Sequence, residues 1–253
     1  MLRPNVISSQ PSPTTTNPEV IRGAIQAVKA KGATKIIVAE DGFAAGTGLG
    51  AMTSLGITQV CTDEGAEAMD MKGSGGTVRS SPTGAAAWPN GINFYKAVLD
   101  ADFVINMPVC KTHSSANISM ALKAWYGNIP VTDRNHASLM NQLPELHLVR
   151  QENFVILDAS KCMISGGPTN GMAAESKIVV ATKDPIAADI TGICILKQFG
   201  VSGAVANTKV WEQQQIKRAL ALKFNGWLSS AQNFAYQQNG VTDHEAIMAW
   251  RDK

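Results

Sequence analysis

Asp102-Phe103-Val104-Ile105-Asn106-Met107-Pro108-Val109 is an apolar run that leads into Lys111-Thr112-His113 and then a loop of small residues. The run reads as a buried strand, and while the chain stays extended two basic side chains at i and i+2 point to one side of it. Three further apolar runs end in the same manner. Lys35 to Ala39 ends at Glu40-Asp41, Phe154 to Leu157 ends at Asp158, and Lys177 to Thr182 ends at Lys183-Asp184. Open α/β sheets bind ligands beyond the carboxyl ends of their strands, so several polar strand ends predict one shared pocket. The expected fold class is α/β, a largely parallel sheet flanked by helices with a helical C-terminal tail.

Working outward, Leu2 to Ile7 reads as a strand and Ser8 to Asn17 as a loop rich in Ser, Thr and Pro. Asn17-Pro18 is a cap and first-turn pair for a helix to Lys31, where Val20, Ile21, Ala24, Ile25 and Val28 recur at helical spacing. With the strand from Lys35 this gives strand, helix, strand, the unit of parallel sheets. Gly42-Phe43-Ala44-Ala45-Gly46-Thr47-Gly48-Leu49-Gly50 departs from the spacing of a dinucleotide fingerprint and reads as a turn opening a helix over 50–65, with a nucleotide-binding loop at Gly46 to Gly50 as the lesser alternative. A short strand is expected over 66–71. From Lys72 to Asn90 the chain is rich in Gly, Ser, Thr and Pro, either a binding lid or an antiparallel surface excursion, before a strand at Ile92 to Tyr95. Helices are expected over 118–127 and 137–150, then strands over 154–157 and 177–182. Asp184 as cap and Pro185 in the first turn open a helix to Phe199, and residues 208–253 read as helical and more solvated. The expected division is an α/β domain over 1–205 and a helical extension over 206–253, packed on it through Trp211, Trp227 and Trp250.

With 253 residues, 45% hydrophobic and 17% charged, the chain can bury a substantial core, and a net charge of +2 spread along it leaves no nucleic-acid footprint. No apolar run approaches the ~20 residues of a membrane span. Cys61, Cys110, Cys162 and Cys194 are scattered without C-x-x-C spacing and are expected to be structural. Cys110, beside Lys111, is the one candidate for a reactive thiolate. The chain opens in what reads as a strand under way, which leaves open a lost upstream signal or first strand. The compartment is then cytoplasmic as the chain stands, and exported if a signal has been removed.

Asp189 falls on an apolar helix face between Ile186 and Ile193, where a carboxylate needs a partner. Lys123, among Met120, Leu122, Trp125 and Tyr126, poses the complementary need; a meeting of the two is either a structural ion pair or a substrate-orienting one. His113 follows a strand end and is expected to line the site, His136 either lines it or caps the next helix, and His147 reads as core. The loop Ser165-Gly166-Gly167-Pro168-Thr169-Asn170-Gly171 is either an anion-binding nest of backbone amides or a tight turn. Ser114 and Ser115 lie outside any nucleophile elbow.

Arg3-Pro4-Asn5, Asn106-Met107-Pro108, Lys111-Thr112-His113, Ala121-Leu122-Lys123 with Gly127, Arg134 with His136, Asp158, Gly167-Pro168 with Gly171, Lys183-Asp184-Pro185 and Ala188-Asp189 form a spaced series over residues 2–200. In that order the series resembles the domain of unknown function 362 family. Many members of that family resemble redox-associated proteins that carry ferredoxin-like iron–sulfur segments or twin-arginine export signals. This chain displays neither, and Ala124 stands where the family pattern has Asn after the helical lysine. The Lys-x-His element also resembles, distantly, the histidine-bearing loops of nickel-pincer lactate racemases.

The expectation is an enzyme-like protein that acts on a small anionic metabolite by acid–base chemistry. In it Lys111 and Arg134 hold the anion, His113 is the acid or base with Lys111 and Lys123 as catalytic companions, and Asp158 or Asp184 orients the histidine or a metal. Gly166, Gly167 and Asp189 complete the substrate-binding set, and a divalent metal between His113 and His136 is a further candidate cofactor. The alternative is a non-catalytic accessory that binds a metal, cluster or cofactor for an iron–sulfur redox partner.

Overall fold

The computed structural model describes residues 1–43 and 46–253, so residues 44 and 45 of the glycine-rich turn lie outside the described residues. Strand β1 (Leu2–Pro4) is followed by α1 (Pro18–Ala30), opened by the Asn17 side chain accepting from the Glu19 amide, and then by β2 (Ile37–Glu40). The expected helix over 50–65 is two, α2 (Gly48–Ser54) and α3 (Ile57–Glu64), because Gly56 turns the chain at φ +76. β3 (Glu67–Asp70) pairs in parallel with β2. The glycine-rich excursion that follows is antiparallel: β4 (Thr77–Ser80) pairs with β5 (Ile92–Tyr95) as a separate two-stranded sheet, before the one-turn α4 (Lys96–Leu99).

The central run forms β6 (Ile105–Met107) and β7 (Val109–His113), interrupted at Pro108, which has no N–H to give to a ladder. Its last three residues thus lie inside a strand and not beyond one. Asn117, at φ +60, folds β8 (Asn117–Ser119) back onto β7, with Lys111 opposite Ser119 and His113 opposite Asn117. The helix expected over 118–127 is therefore confined to α5 (Ala121–Ala124) and a 3-10 turn at Trp125–Asn128. The second helix, expected over 137–150, is shorter: α6 (Leu139–Glu145) followed by a 3-10 turn at Leu146–Leu148.

β9 (Phe154–Met163) is longer than its apolar run, so Asp158 sits in mid-strand. It runs parallel to β6 and β7 on one side and takes β10 (Ala173–Ala174) and β11 (Ile178–Thr182) in antiparallel pairing. α7 (Pro185–Gln198) crosses back, and the tail folds as short pieces, α8 (Ala204–Asn207), α9 (Gln214–Leu222) and α10 (His244–Met248), more broken than expected. No described helix is long and apolar enough to cross a membrane.

The main sheet runs β3-β2-β1-β6-β9, with β7 continuing along the β9 edge. From β1 the chain moves first outward to β2 and β3, then returns to the other side of β1 at β6, which makes the end of β1 a topological switch point. α1, α2 and α3 cover one face, burying Ile21, Ile25, Met52 and Ile57 against Leu2, Val38 and Met107. Phe94, Trp125, Tyr126 and Leu143 fill a second cluster with Ala39, while α7 packs with β9 and with Val210, Ile216, Ala219 and Ile247 of the tail. Trp211, Trp227 and Trp250 pack against that last cluster as well, as expected.

Candidate functional site

A cavity of about 250 Å³ opens at the carboxyl ends of β1, β2 and β7. β1 delivers Asn5 and Val6, β2 delivers Glu40, Asp41 and Phe43, and β7 delivers His113. Lys123, Ala124 and Gly127 face it from α5 and the turn after it, a set at i, i+1 and i+4 that one helical face presents together. Ile7, Tyr126, Arg134, His136, Pro168 and Thr169 complete the wall.

Two carboxylates in this wall are fully engaged. Glu40, 6% exposed, accepts from Arg3 at 3.3 Å, from the Asp41 amide at 2.8 Å and from the Val6 amide at 3.3 Å; burial pushes its carboxyl above the usual range against the pull of Arg3. Asp41 is ion-paired with Arg134, whose Nε also donates to the Ile129 carbonyl at 3.1 Å. The Arg134 guanidinium lies 5.6 Å from the ring centre of Phe43 and 5.9 Å from that of Tyr126. Among the described residues its Nη1 has no hydrogen-bond partner.

Lys123 is different. Its ammonium lies 5.7 Å from the Tyr126 ring centre and, among the described residues, has no ion pair and no hydrogen bond. Desolvation by burial and then the Arg134 charge pull it down to about 8. With Glu40 matched by Arg3 and Asp41 by Arg134, Lys123 leaves the wall with one uncompensated positive charge.

His113 has its orientation fixed from the backbone. Its Nδ1 accepts from the amides of Ser115 at 3.1 Å and Ala116 at 3.2 Å, so the neutral ring carries its proton on Nε2. Burial, followed by the charges of Lys123 and Lys111, holds the imidazole down to about 3, and the ring stays neutral at ordinary pH. It faces the cavity as a hydrogen-bond donor.

The other expected site residues are placed elsewhere. Lys111 is fully buried and donates to the Thr14 carbonyl at 2.5 Å, its amine pulled well below the usual lysine range by desolvation and by Lys123. It holds the 8–17 loop from beneath, because β7 continues through it and turns its side chain into the protein. Asp158, mid-strand, accepts from the Asn17 amide at 2.8 Å and the Ser160 hydroxyl at 2.6 Å. Asp184 caps α7 through the amides of Ile186 and Ala187, as expected, and also accepts from Leu228. It lies at the far end of the sheet from the cavity, since antiparallel β11 carries the chain back the other way. Asp189 has the partner its burial demands, but that partner is the start of α5 and not Lys123.

Gly166 and Gly167 shape the cavity roof without lining it. A side chain on Gly167 would stand 2.1 Å from the Thr112 carbonyl oxygen, at φ +71, and this close approach sets Pro168 and Thr169 over the cavity. The Thr14 hydroxyl donates to the Thr169 carbonyl at 3.1 Å, tying the two roof loops together. His136 is exposed and meets the Tyr126 ring edge-on with 6.3 Å between ring centres. His147 is core, stacked on Trp125 and hydrogen-bonded to Glu152 at 2.7 Å.

Among the described residues no group of three or more His, Cys, Asp and Glu side chains is placed to hold a metal. The donors at the cavity fit one poorly, since His113 has one ring nitrogen engaged by amides and lies beside the charges of Lys123 and Lys111, while Glu40 and Asp41 are committed to Arg3 and Arg134. The four thiols are buried and unpaired, and burial raises Cys110 well above the usual thiol range, so it is no thiolate.

Residues 1–193 match the family described as Domain of unknown function (DUF362). The chain belongs to this family. No curated protein and no solved structure matches it. Within the DUF362 region part of the spaced motif series meets at the cavity: Asn5, His113, Lys123, Gly127, Arg134, His136 and Pro168 line it, whereas Lys111, Asp158, Asp184 and Asp189 do not. Glu40, Asp41, Phe43, Tyr126 and Thr169 also line it and are given no individual role by the sequence reading. Glu40-Asp41 was visible as a polar strand end, and Tyr126 as a neighbour of Lys123 one turn on; nothing in the sequence marked Phe43.

Proposed function

We propose that this protein binds a small monoanionic metabolite in the cavity at the ends of β1, β2 and β7 and moves a proton on it. The observation that carries the reading is the uncompensated Lys123 ammonium, which faces a cavity of about 250 Å³ beside Arg134 Nη1 and the neutral His113 ring. Three donors directed at one small space suit a carboxylate or phosphate oxygen set. Arg134, held rigid by Asp41 and the Ile129 carbonyl, orients the anion.

His113 then acts as an electrophile. With Nδ1 occupied, its Nε2–H donates to an oxygen on which charge develops, as a neutral imidazole can when its proton is fixed on one nitrogen. Lys123, at about 8, is suited to take or return a proton near neutral pH. Lys111 takes no direct part and supports the roof through Thr14.

The test is a panel of small carboxylates and phosphates in deuterated water, followed by NMR. Binding is expected for the wild type and lost in Lys123→Gln. Deuterium uptake beside a carbonyl is expected to disappear in His113→Gln while binding persists. A wild-type protein that binds none of the panel sinks the proposal.

A further inference from the structure

We infer that Lys123 is a nucleophile that condenses with the carbonyl group of a small α-keto acid. This rests on the anion-binding reading above and narrows its ligand to one chemical class.

A lysine beside carboxylates ordinarily becomes an ion pair, and here every neighbouring carboxylate is committed to something else. Glu40 is taken by Arg3 and two backbone amides, and Asp41 by Arg134 with Tyr95 at 3.4 Å. Asp189, on α7, is taken by the amides that open α5. The Lys123 amine is left facing the cavity among Tyr126, Ala124 and Gly127. Partial burial of a lysine next to another cation is a recurrent way of supplying free amine for imine formation. Lys123 meets both conditions, burial and the neighbouring Arg134.

The surrounding donors match the rest of such a substrate. Arg134 Nη1 can take the carboxylate and His113 Nε2–H the carbonyl oxygen, leaving the carbonyl carbon to the amine. The volume, about 250 Å³, lies below the usual range for drug-sized ligands and suits an acid of a few carbons. In the condensation the nitrogen–carbon bond forms as the carbon–oxygen bond breaks. The oxygen leaves as water with two of the three ammonium hydrogens, and the iminium keeps the remaining hydrogen and the positive charge. No oxidant or reductant is needed.

The experiment treats the full-length protein with pyruvate or glyoxylate and sodium borohydride, which reduces an iminium to a stable amine, and maps the adduct by peptide mass spectrometry. Lactate, which has no carbonyl to condense, serves as the parallel binding probe. The expected result is a single adduct on Lys123, its yield rising with a midpoint near pH 8 and abolished in Lys123→Arg. Exposed lysines such as Lys29 and Lys96 remain unmodified. Lactate binding without an adduct on Lys123 overturns the imine and leaves the anion site standing. Loss of both overturns the two together, and modification spread evenly over surface lysines also overturns the imine.

Discussion

Asp189 on α7 holds the start of α5, its Oδ1 accepting from the Ala121 amide at 2.6 Å and its Oδ2 from the Leu122 amide at 3.2 Å. The next residue along, Lys123, is thereby placed on the cavity with no counter-ion among the described residues. A carboxylate at the first amides of a helix satisfies donors that have no intrahelical partner. It also fixes the direction in which the short α5 points.

Replacing Asp189 with Ala leaves two buried amides unsatisfied, at about 1–3 kcal/mol each. Asp189→Ala is therefore expected to lower the unfolding free energy by roughly 2–6 kcal/mol, measured by urea titration with circular dichroism. The same variant should weaken carboxylate binding, since α5 no longer aims Lys123. Unchanged stability and binding would show that α5 is positioned by packing alone.

Lys123 presents the opposite case, in which function and stability pull apart. Its folded value near 8 lies below the ordinary 10.5, so the unfolded chain holds the proton more tightly and the charge costs stability at neutral pH. Lys123→Met is expected to raise stability by on the order of 1–2 kcal/mol, discounted for the solvent the cavity admits. It should abolish anion binding in the same sample. For the wild type, stability should rise between pH 8 and 10.5 as Lys123 loses its proton in the folded state first. A melting temperature that falls in Lys123→Met would mean that the ammonium has a favourable partner.

The cavity is more legible in the sequence than the roles within it. Strand ends at Glu40 and His113, with the family motifs around Lys123 and Arg134, pointed to one place, because residues beyond parallel strands meet whatever the loops do. Lys111 and Asp158 were misplaced because β7 and β9 run on past their apolar runs: a strand buried on both faces carries polar residues wherever hydrogen bonds satisfy them. Asp184 shares the pattern of a strand-end acid, but the direction of β11 cannot be read from its composition. Asp189 was recognisable as a buried carboxylate in need of a partner. That the partner is a pair of backbone amides depends on where α7 crosses α5, which no local pattern records.

Arg134 and Asp41 form a buried pair, and removing one partner strands the other. Arg134→Gln is expected to cost about 3–5 kcal/mol because Asp41, 1% exposed, is left charged and unpaired. Adding Asp41→Asn removes that charge, and the double variant should recover most of the loss while still binding anions poorly. Chemical denaturation of the wild type, both single variants and the double variant closes the cycle. Additive effects would show that the pair is not coupled in solution.

His113 makes a prediction on the acid side. Its imidazole is held down to about 3 in the folded protein against an ordinary 6.5, so the unfolded chain binds a proton that the folded chain refuses between those values. The stability associated with the neutral ring is complete above pH 6.5 and is lost as the pH falls toward 3. A protonated ring would carry a hydrogen on Nδ1 facing the Ser115 and Ala116 amides, donor against donor, with Lys123 nearby. His113→Gln offers an oxygen to those amides at any pH and an amide N–H₂ to the cavity. Its unfolding free energy should therefore depend less steeply on pH between 3 and 6.5 than that of the wild type. NMR of the wild-type ring should show no titration between pH 5 and 8, with a tautomer protonated at Nε2. A ring that titrates near 6.5 would remove the neutral electrophile from the mechanism and restore His113 as a conventional base.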